Sequence, residues 1–150
     1  RRRVKISTKG RYGLRALVDL ASHENEGAVS LLHVAKRQNI SLNYLEQVFA
    51  ALRKAGIVKS QKGAQGGYRL AKSMEEIKLD DVLTVLEGRF NIIEETDIGV
   101  RQDAVRWAIQ ELVWDRINAS IWKFLETCTL AELVEQYKEL GSSAEYMYYI

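Results

Sequence analysis

The sequence predicts a mainly α-helical chain with one small β-hairpin, and three observations predict it. Apolar residues recur at helical spacing through most of the chain. One pair of short apolar-polar alternations, around residues 57–72, breaks that period and encloses three glycines. The charge also divides between two halves. Residues 1–72 carry 15 Lys and Arg against 4 Asp and Glu, a net +11, and residues 73–150 carry 7 against 16, a net −9. A basic half suits a polyanionic partner, and the acidic half suits some other task. The alternative is two solvated faces of opposite sign.

The elements follow in order. Ser7 can cap a first helix carrying Leu14, Leu17, Val18 and Ala21, which ends near His23–Gly27. Ser30 can cap a short second helix through Gln38, with Leu32, Val34 and Ala35 inward. Gln38 and Asn39 make a tight turn, and Ser41 can cap a third helix with a Leu45, Val48, Phe49, Leu52 stripe. Gly56 stops it just after Arg53 and Lys54, which favour the negative end of the helix dipole. Two short helices across a tight turn form a helix-turn-helix, and the hairpin IVKSQK/GYRLAK after it forms a wing with GAQG at its tip. Lys78–Glu87 reads as a further helix with Leu79, Val82, Val85 and Leu86 on one side, ended by Gly88. Residues 1–88 are thus expected to be a winged helix-turn-helix domain. Residues 89–150 follow as a connecting loop, a long helix and a tail.

The long helix is expected from Val100 to Leu125. Trp107, Trp114, Ile121 and Cys128 fall seven apart, and Val105, Ile109, Leu112, Val113 and Ile117 widen the apolar surface past one stripe. Such a helix needs cover on more than one side. The simplest cover is the same helix of a second chain, so Val105, Trp107, Ile109, Leu112, Trp114, Ile117 and Ile121 are the expected homodimer interface. Thr127 or Thr129 can cap a last short helix through Tyr137, before a tail ending EYMYYI.

Several function classes are set aside. No apolar run approaches the ~20 residues of a membrane span, and RRRVKISTKG lacks the apolar stretch of a secretory signal. One cysteine, Cys128, permits no intrachain disulfide, which fits a reducing cytoplasm, and builds no cysteine cage for zinc or an iron–sulfur cluster. No nucleophile-base, paired-carboxylate or phosphate-loop pattern points to an enzyme, and His23 and His33 have no metal-ligand spacing. No cofactor is expected.

In a helix-turn-helix the second helix enters the major groove of DNA, N-terminal residues first. On SLNYLEQVFAALRKAG the apolar stripe leaves Asn43, Tyr44, Glu46, Gln47 and Arg53 outside. Asn and Gln can pair with adenine, and Glu can accept from the cytosine amino group. Lys59, Lys62 and Arg69 on the wing supply phosphate contacts. A protein-interaction winged helix is the alternative from another class.

KISTKGRY (5–12), YLEQ (44–47), LRKAG (52–56), KGAQGGY (62–68) and VLEG (85–88) occur in that order and spacing. In this the chain resembles the IscR/NsrR/CymR-type family of bacterial winged-helix transcription regulators, over essentially its whole length. The resemblance implies a homodimer on a pseudo-palindromic operator, with the recognition helix in the major groove and the wings in flanking minor grooves. It implies Asn43, Glu46 and Gln47 as base-reading residues, and Lys62 with Gln65 as the wing residues in the minor groove. Ser7, Lys9, Tyr44, Arg53 and Lys59 would hold phosphates. Cluster-binding members place three cysteines before the long helix, and Gly88–Gln102 has none. The resemblance is therefore to the cluster-free, CymR-like branch, repressors of cysteine metabolism that form a complex with cysteine synthase. Tyr149 and Ile150 are the expected docking residues for that enzyme, with packing of the aromatic tail on the long helix as the alternative. A regulator answering a small ligand, or oxidation of Cys128, is the alternative within the family. Cys128 itself reads as a buried small apolar group, although a nearby helix N-terminus could lower its pKa. Arg1–Arg3 read as a start-site artefact or a basic arm.

The glycines Gly63, Gly66 and Gly67 are expected to let the wing tip turn sharply and pass close to sugar and phosphate. On that reading Gly66→Val weakens DNA binding more than folding.

Overall fold

The structure is a computed structural model and describes residues 6–89, 91 and 103–148. Helices α1 (Thr8–Ser22), α2 (Leu31–Gln38) and α3 (Leu42–Lys54) come first, with a 3-10 turn at Glu24–Glu26. The antiparallel strands β1 (Val58–Gln61) and β2 (Gly67–Leu70) follow, then α4 (Leu79–Glu87). A long helical rod is built from α5 (Ala104–Ile109), a π-helical stretch Gln110–Trp114 and α6 (Asp115–Thr127), and α7 (Leu130–Tyr148) ends the described chain.

Local chemistry explains most boundaries. Ser30 and Ser41 cap α2 and α3 by accepting from the backbone N–H of Leu32 and Tyr44. Asn39 takes the left-handed conformation, φ 54°, that turns the chain between them. Gly56 and Gly88 adopt positive φ after α3 and α4. The stripe of α3 is fully inside, with Leu45, Phe49 and Leu52 at 0% exposure. It joins Ala16, Leu17 and Leu20 of α1, Val34 of α2, Val58 and Leu70 of the hairpin, and Val82 and Leu86 of α4 in one core.

Four expectations need correction. Leu32 points outward, 45% exposed, because Leu31 takes the inward position and sets the phase of Val34 and Ala35. Ser7 stands at the N-terminus of α1 but does not cap it. Its hydroxyl donates to Glu87 Oε1 at 2.5 Å, and that same oxygen accepts from Gly10 N–H at 2.8 Å, so a carboxylate from α4 serves the helix start. The last helix is not short. Thr129 opens it with Glu132 in a reciprocal capping box, and it runs on past Tyr137 through Gly141 to Tyr148. The seven-residue series on the long helix breaks at the π stretch, whose wider turn moves the inward face along the rod. Trp122 and Leu125 are the residues that bury against Leu79 and Leu83 of α4, while Ile121 and Cys128 are half-buried.

The rod and α7 are tied to the first 88 residues by backbone. Leu79 N–H donates to Cys128 O, Leu130 N–H to Ile77 O and Ala131 N–H to Met74 O, and Leu130 and Val134 enter the main core. At the start of the expected loop, Arg89 stacks its guanidinium over the Trp122 ring at 4.7 Å. Phe90, residues 92–102, Arg1–Arg3, Tyr149 and Ile150 lie outside the described residues.

Candidate nucleic-acid interface

The outer side of α3 carries Asn43, Glu46 and Gln47, all exposed, opposite the buried stripe. Their i, i+3, i+4 spacing places them on one strip, continued by the small side chain of Ala50. Asn and Gln amides and a Glu carboxylate are the groups that match base edges, and here they project together from a helix N-terminal half. Tyr44 is half-buried beside this strip. Its ring meets Tyr12 edge-on at 6.0 Å, and its hydroxyl lies 3.3 Å from Thr8 Oγ1, so the first turn of α1 and the start of α3 form one surface. Lys9 is half-buried on that surface, and Arg53, Lys59 and Lys62 are exposed. Ser7 shares its hydroxyl with Glu87, which leaves its oxygen lone pairs for any further role.

The wing is pinned on both sides. β1 and β2 pair in the register Val58↔Leu70 to Gln61↔Gly67, and Tyr68 also exchanges two backbone hydrogen bonds with Val29, at 2.8 and 2.9 Å. Val29, just ahead of the Ser30 cap of α2, thus bridges the free edge of the hairpin as a single residue. Tyr68 packs edge-on against Phe49 at 5.2 Å, which fixes the wing to the recognition helix. Between them opens a groove of about 520 Å³ lined by Ser30, Leu32, Leu42, Glu46, Gly66 and Tyr68. Leu32 supplies its exposed apolar wall, the surface that the inward assignment missed.

The glycines have more than one task. Gly63 turns the tip with φ 115° in open space, and its carbonyl accepts from Gly66 N–H at 3.0 Å. A Cβ on Gly66 would run into the carbonyls of Gln61 and Gly63, and one on Gly67 into the carbonyl of Val29. Two of the three therefore serve the wing's own folding, and Gly66→Val would damage the hairpin itself. Lys62 and Gln65 are exposed at the tip.

A buried carboxylate that the sequence did not flag holds the helix-turn-helix to α1. Asp19, 3% exposed, accepts from Arg37 Nε and Nη2 at 2.7–3.1 Å and from Gln38 Nε2 at 2.8 Å. The hydrogen bond to Asp19 holds the Arg37 pKa above its ordinary value. Arg15 donates to the Gln38 carbonyl, so the turn before α3 is held from α1 at two points. The i, i+18 separation of Asp19 and Arg37 leaves no local pattern to find.

Of the residues expected at a dimer interface, Val105 is 71%, Leu112 60%, Trp107 40% and Ile117 36% exposed within one chain. Ile109, Trp114 and Ile121 are half-buried. Among the described residues no three His, Cys, Asp or Glu side chains come together as a metal site, and no helix is long and apolar enough to cross a membrane. Cys128 is half-buried, and desolvation, with Glu132 adding to it, pushes its thiol pKa up.

Comparison with known proteins agrees with this architecture. The model of the Rrf2 family, described as iron-dependent transcriptional regulators, matches residues 6–136. The chain is 42% identical over 147 residues to the HTH-type transcriptional regulator CymR of Bacillus subtilis, covering 98% of this chain and all of that protein. It is 39% identical over 137 residues to the HTH-type transcriptional regulator IscR of Cereibacter sphaeroides, covering 88% of each. Among solved structures, CymR, the global cysteine regulator of B. subtilis, superposes with a TM-score of 0.76 at 40% identity over 88% of this chain and 97% of that one. T. potens IscR superposes with a TM-score of 0.73 at 43% identity over 91% and 90%. The chain belongs to the Rrf2 family of winged-helix, DNA-binding transcriptional regulators.

Proposed function

We propose that this regulator is a homodimeric repressor of cysteine and sulfur metabolism genes that works without a cysteine-ligated iron–sulfur cluster. The observation that carries the DNA-reading part is the strip Asn43, Glu46 and Gln47 beside a wing anchored to the same helix. The gene class rests on the likeness to CymR, the global cysteine regulator. Homodimerisation is supported by the uncovered apolar face of the long rod, because large side chains such as Val105, Trp107 and Leu112 bury favourably only against another surface. The donors do not fit a cysteine-ligated cluster, since Cys128 is the chain's one thiol. The partnership with cysteine synthase through Tyr149 and Ile150 rests on the resemblance alone. A cytoplasmic location follows from the same reading.

Fluorescence anisotropy on an operator duplex, against a scrambled duplex, tests the assignment. Glu46→Ala and Gln47→Ala are each expected to cost about 1–3 kcal/mol on the operator and to relax preference at one base pair. Equal loss on both duplexes would remove these residues from base reading. Sedimentation of the native protein and of Trp107→Asp tests the dimer, and an iron assay after anaerobic purification tests the cluster.

One observation favours a ligand-responsive version. An apolar groove of about 420 Å³ lies between α1 and α7, walled by Leu14, Val18, Leu133, Tyr137 and Leu140. Arg15, Asp19 and Gln38, the groups that hold the helix-turn-helix turn, stand at its edge. An occupant there would touch the residues that place α3. The thiol-oxidation version is disfavoured by the raised pKa of Cys128, which keeps the unreactive thiol form.

A further inference from the structure

We infer that the groove between α1 and α7 is an effector site for a small amphipathic carboxylate, one anionic head on an apolar alkyl or aryl body, and that its occupancy releases DNA. The site rests on the ligand-responsive reading above and gives that reading a ligand class and a direction.

The groove joins an apolar wall to one available charge. Leu14 and Val18 stand one turn apart on α1, and Leu133, Tyr137 and Leu140 follow at i, i+4 and i+7 on α7. Its volume of about 420 Å³ lies in the range of small-molecule sites, about 300–1,000 Å³. Arg15, Asp19 and Gln38 bound the side toward α2. Asp19 is 3% exposed, and both its oxygens already accept from Arg37 or Gln38. Arg15 is exposed, and among the described residues no carboxylate forms an ion pair with it. The charge presented to an occupant is therefore positive. A carboxylate on an apolar body satisfies the guanidinium and covers the apolar wall together.

Arg15 also sets the direction of the response. Its guanidinium lies over the Tyr12 ring at 5.2 Å and donates through Nη2 to the Gln38 carbonyl, at the C-terminus of α2. The next residue, Asn39, makes the left-handed turn toward α3. A carboxylate is a stronger acceptor for a guanidinium than a backbone carbonyl, so a bound head draws Arg15 from Gln38. The turn then keeps its tie through Asp19 alone, and α3 is held less firmly for base reading. By linkage, the operator weakens carboxylate binding by the same factor.

Octanoate and phenylacetate are the probes, with octanol and phenylacetamide as uncharged counterparts and acetate at equal ionic strength as the salt control. Calorimetry reads binding to the native protein, and fluorescence anisotropy reads operator affinity with each probe. The carboxylates are expected to bind roughly tenfold tighter than their uncharged counterparts, and to weaken operator binding roughly five- to tenfold relative to acetate. Arg15→Gln is expected to lose the preference for the charged probes and the response of DNA binding to them. Leu140→Asn, at an exposed position of α7, is expected to bind every probe more weakly while keeping native operator affinity. Should Arg15→Gln fail to fold, Leu140→Asn and the probe series carry the test. Equal binding and equal effect of charged and uncharged probes overturn the carboxylate and leave a ligand-responsive groove. Probes that do not bind, or that bind without changing operator affinity, overturn the site and the ligand-responsive reading together and leave DNA binding intact. A Leu140→Asn protein that sediments as a monomer where the native protein is a dimer assigns the groove to a second copy and overturns the site.

Discussion

Gly67→Ala separates the wing's folding from its contact with DNA. The added methyl meets the carbonyl carbon and oxygen of Val29, which belong to backbone and cannot swing aside. To admit it, β2 must move off Val29, and the two hydrogen bonds between Val29 and Tyr68 are lost. Each is worth about 1 kcal/mol net, and Val29 is buried, so its freed groups are poorly rehydrated. Tyr68 also loosens against Phe49. The sum is about 3 kcal/mol. Gly63→Ala is the control. It keeps a positive φ of 115° but has no neighbour within 4 Å, so it costs only the backbone strain, about 1 kcal/mol. Urea denaturation at one fixed protein concentration reads both, and thermal melting should fall by about 2–4 °C per kcal/mol for a chain of this size. Equal stabilities for the two variants would refute the assignment of Gly67 to intramolecular packing.

Three other perturbations follow from the same geometry. Asp19→Ala should cost about 3 kcal/mol, since it removes a buried carboxylate that answers Arg37 and Gln38, and urea denaturation should show it. Glu87→Ala should cost about 1–2 kcal/mol by freeing Ser7 and Gly10 N–H, whereas Glu87→Gln, which keeps an accepting oxygen, should retain most of the stability. Cys128 should alkylate more slowly than a free thiol at neutral pH, with the rate rising only above the ordinary thiol range, because burial raises its pKa and protonated thiol is unreactive; iodoacetamide kinetics against pH check this.

What was legible in the sequence was what acts over a few residues. Ser30 and Ser41 reach a backbone N–H two or three positions on, and Leu45, Val48, Phe49 and Leu52 report one helical period, so α2, α3 and the exposure of Asn43, Glu46 and Gln47 could be read directly. Leu32 shows the limit of that method, since one residue of phase decides whether it or Leu31 faces inward. The contacts that position the site span long separations. Val29 meets Tyr68, Asp19 meets Arg37, and Glu87 meets Gly10, each set by how helices and strands come together in space. The π stretch at Gln110–Trp114 is likewise invisible to a seven-residue count that assumes a regular helix. The wing glycines join both kinds of information. Their cluster marks a turn, but the surplus over one turn answers to the carbonyls of Gln61, Gly63 and Val29. A close approach inside the protein and a close approach to DNA ask for the same residue, so composition alone cannot divide them. The stability difference between Gly63→Ala and Gly67→Ala can, because the tip is open space and the strand beside Val29 is not.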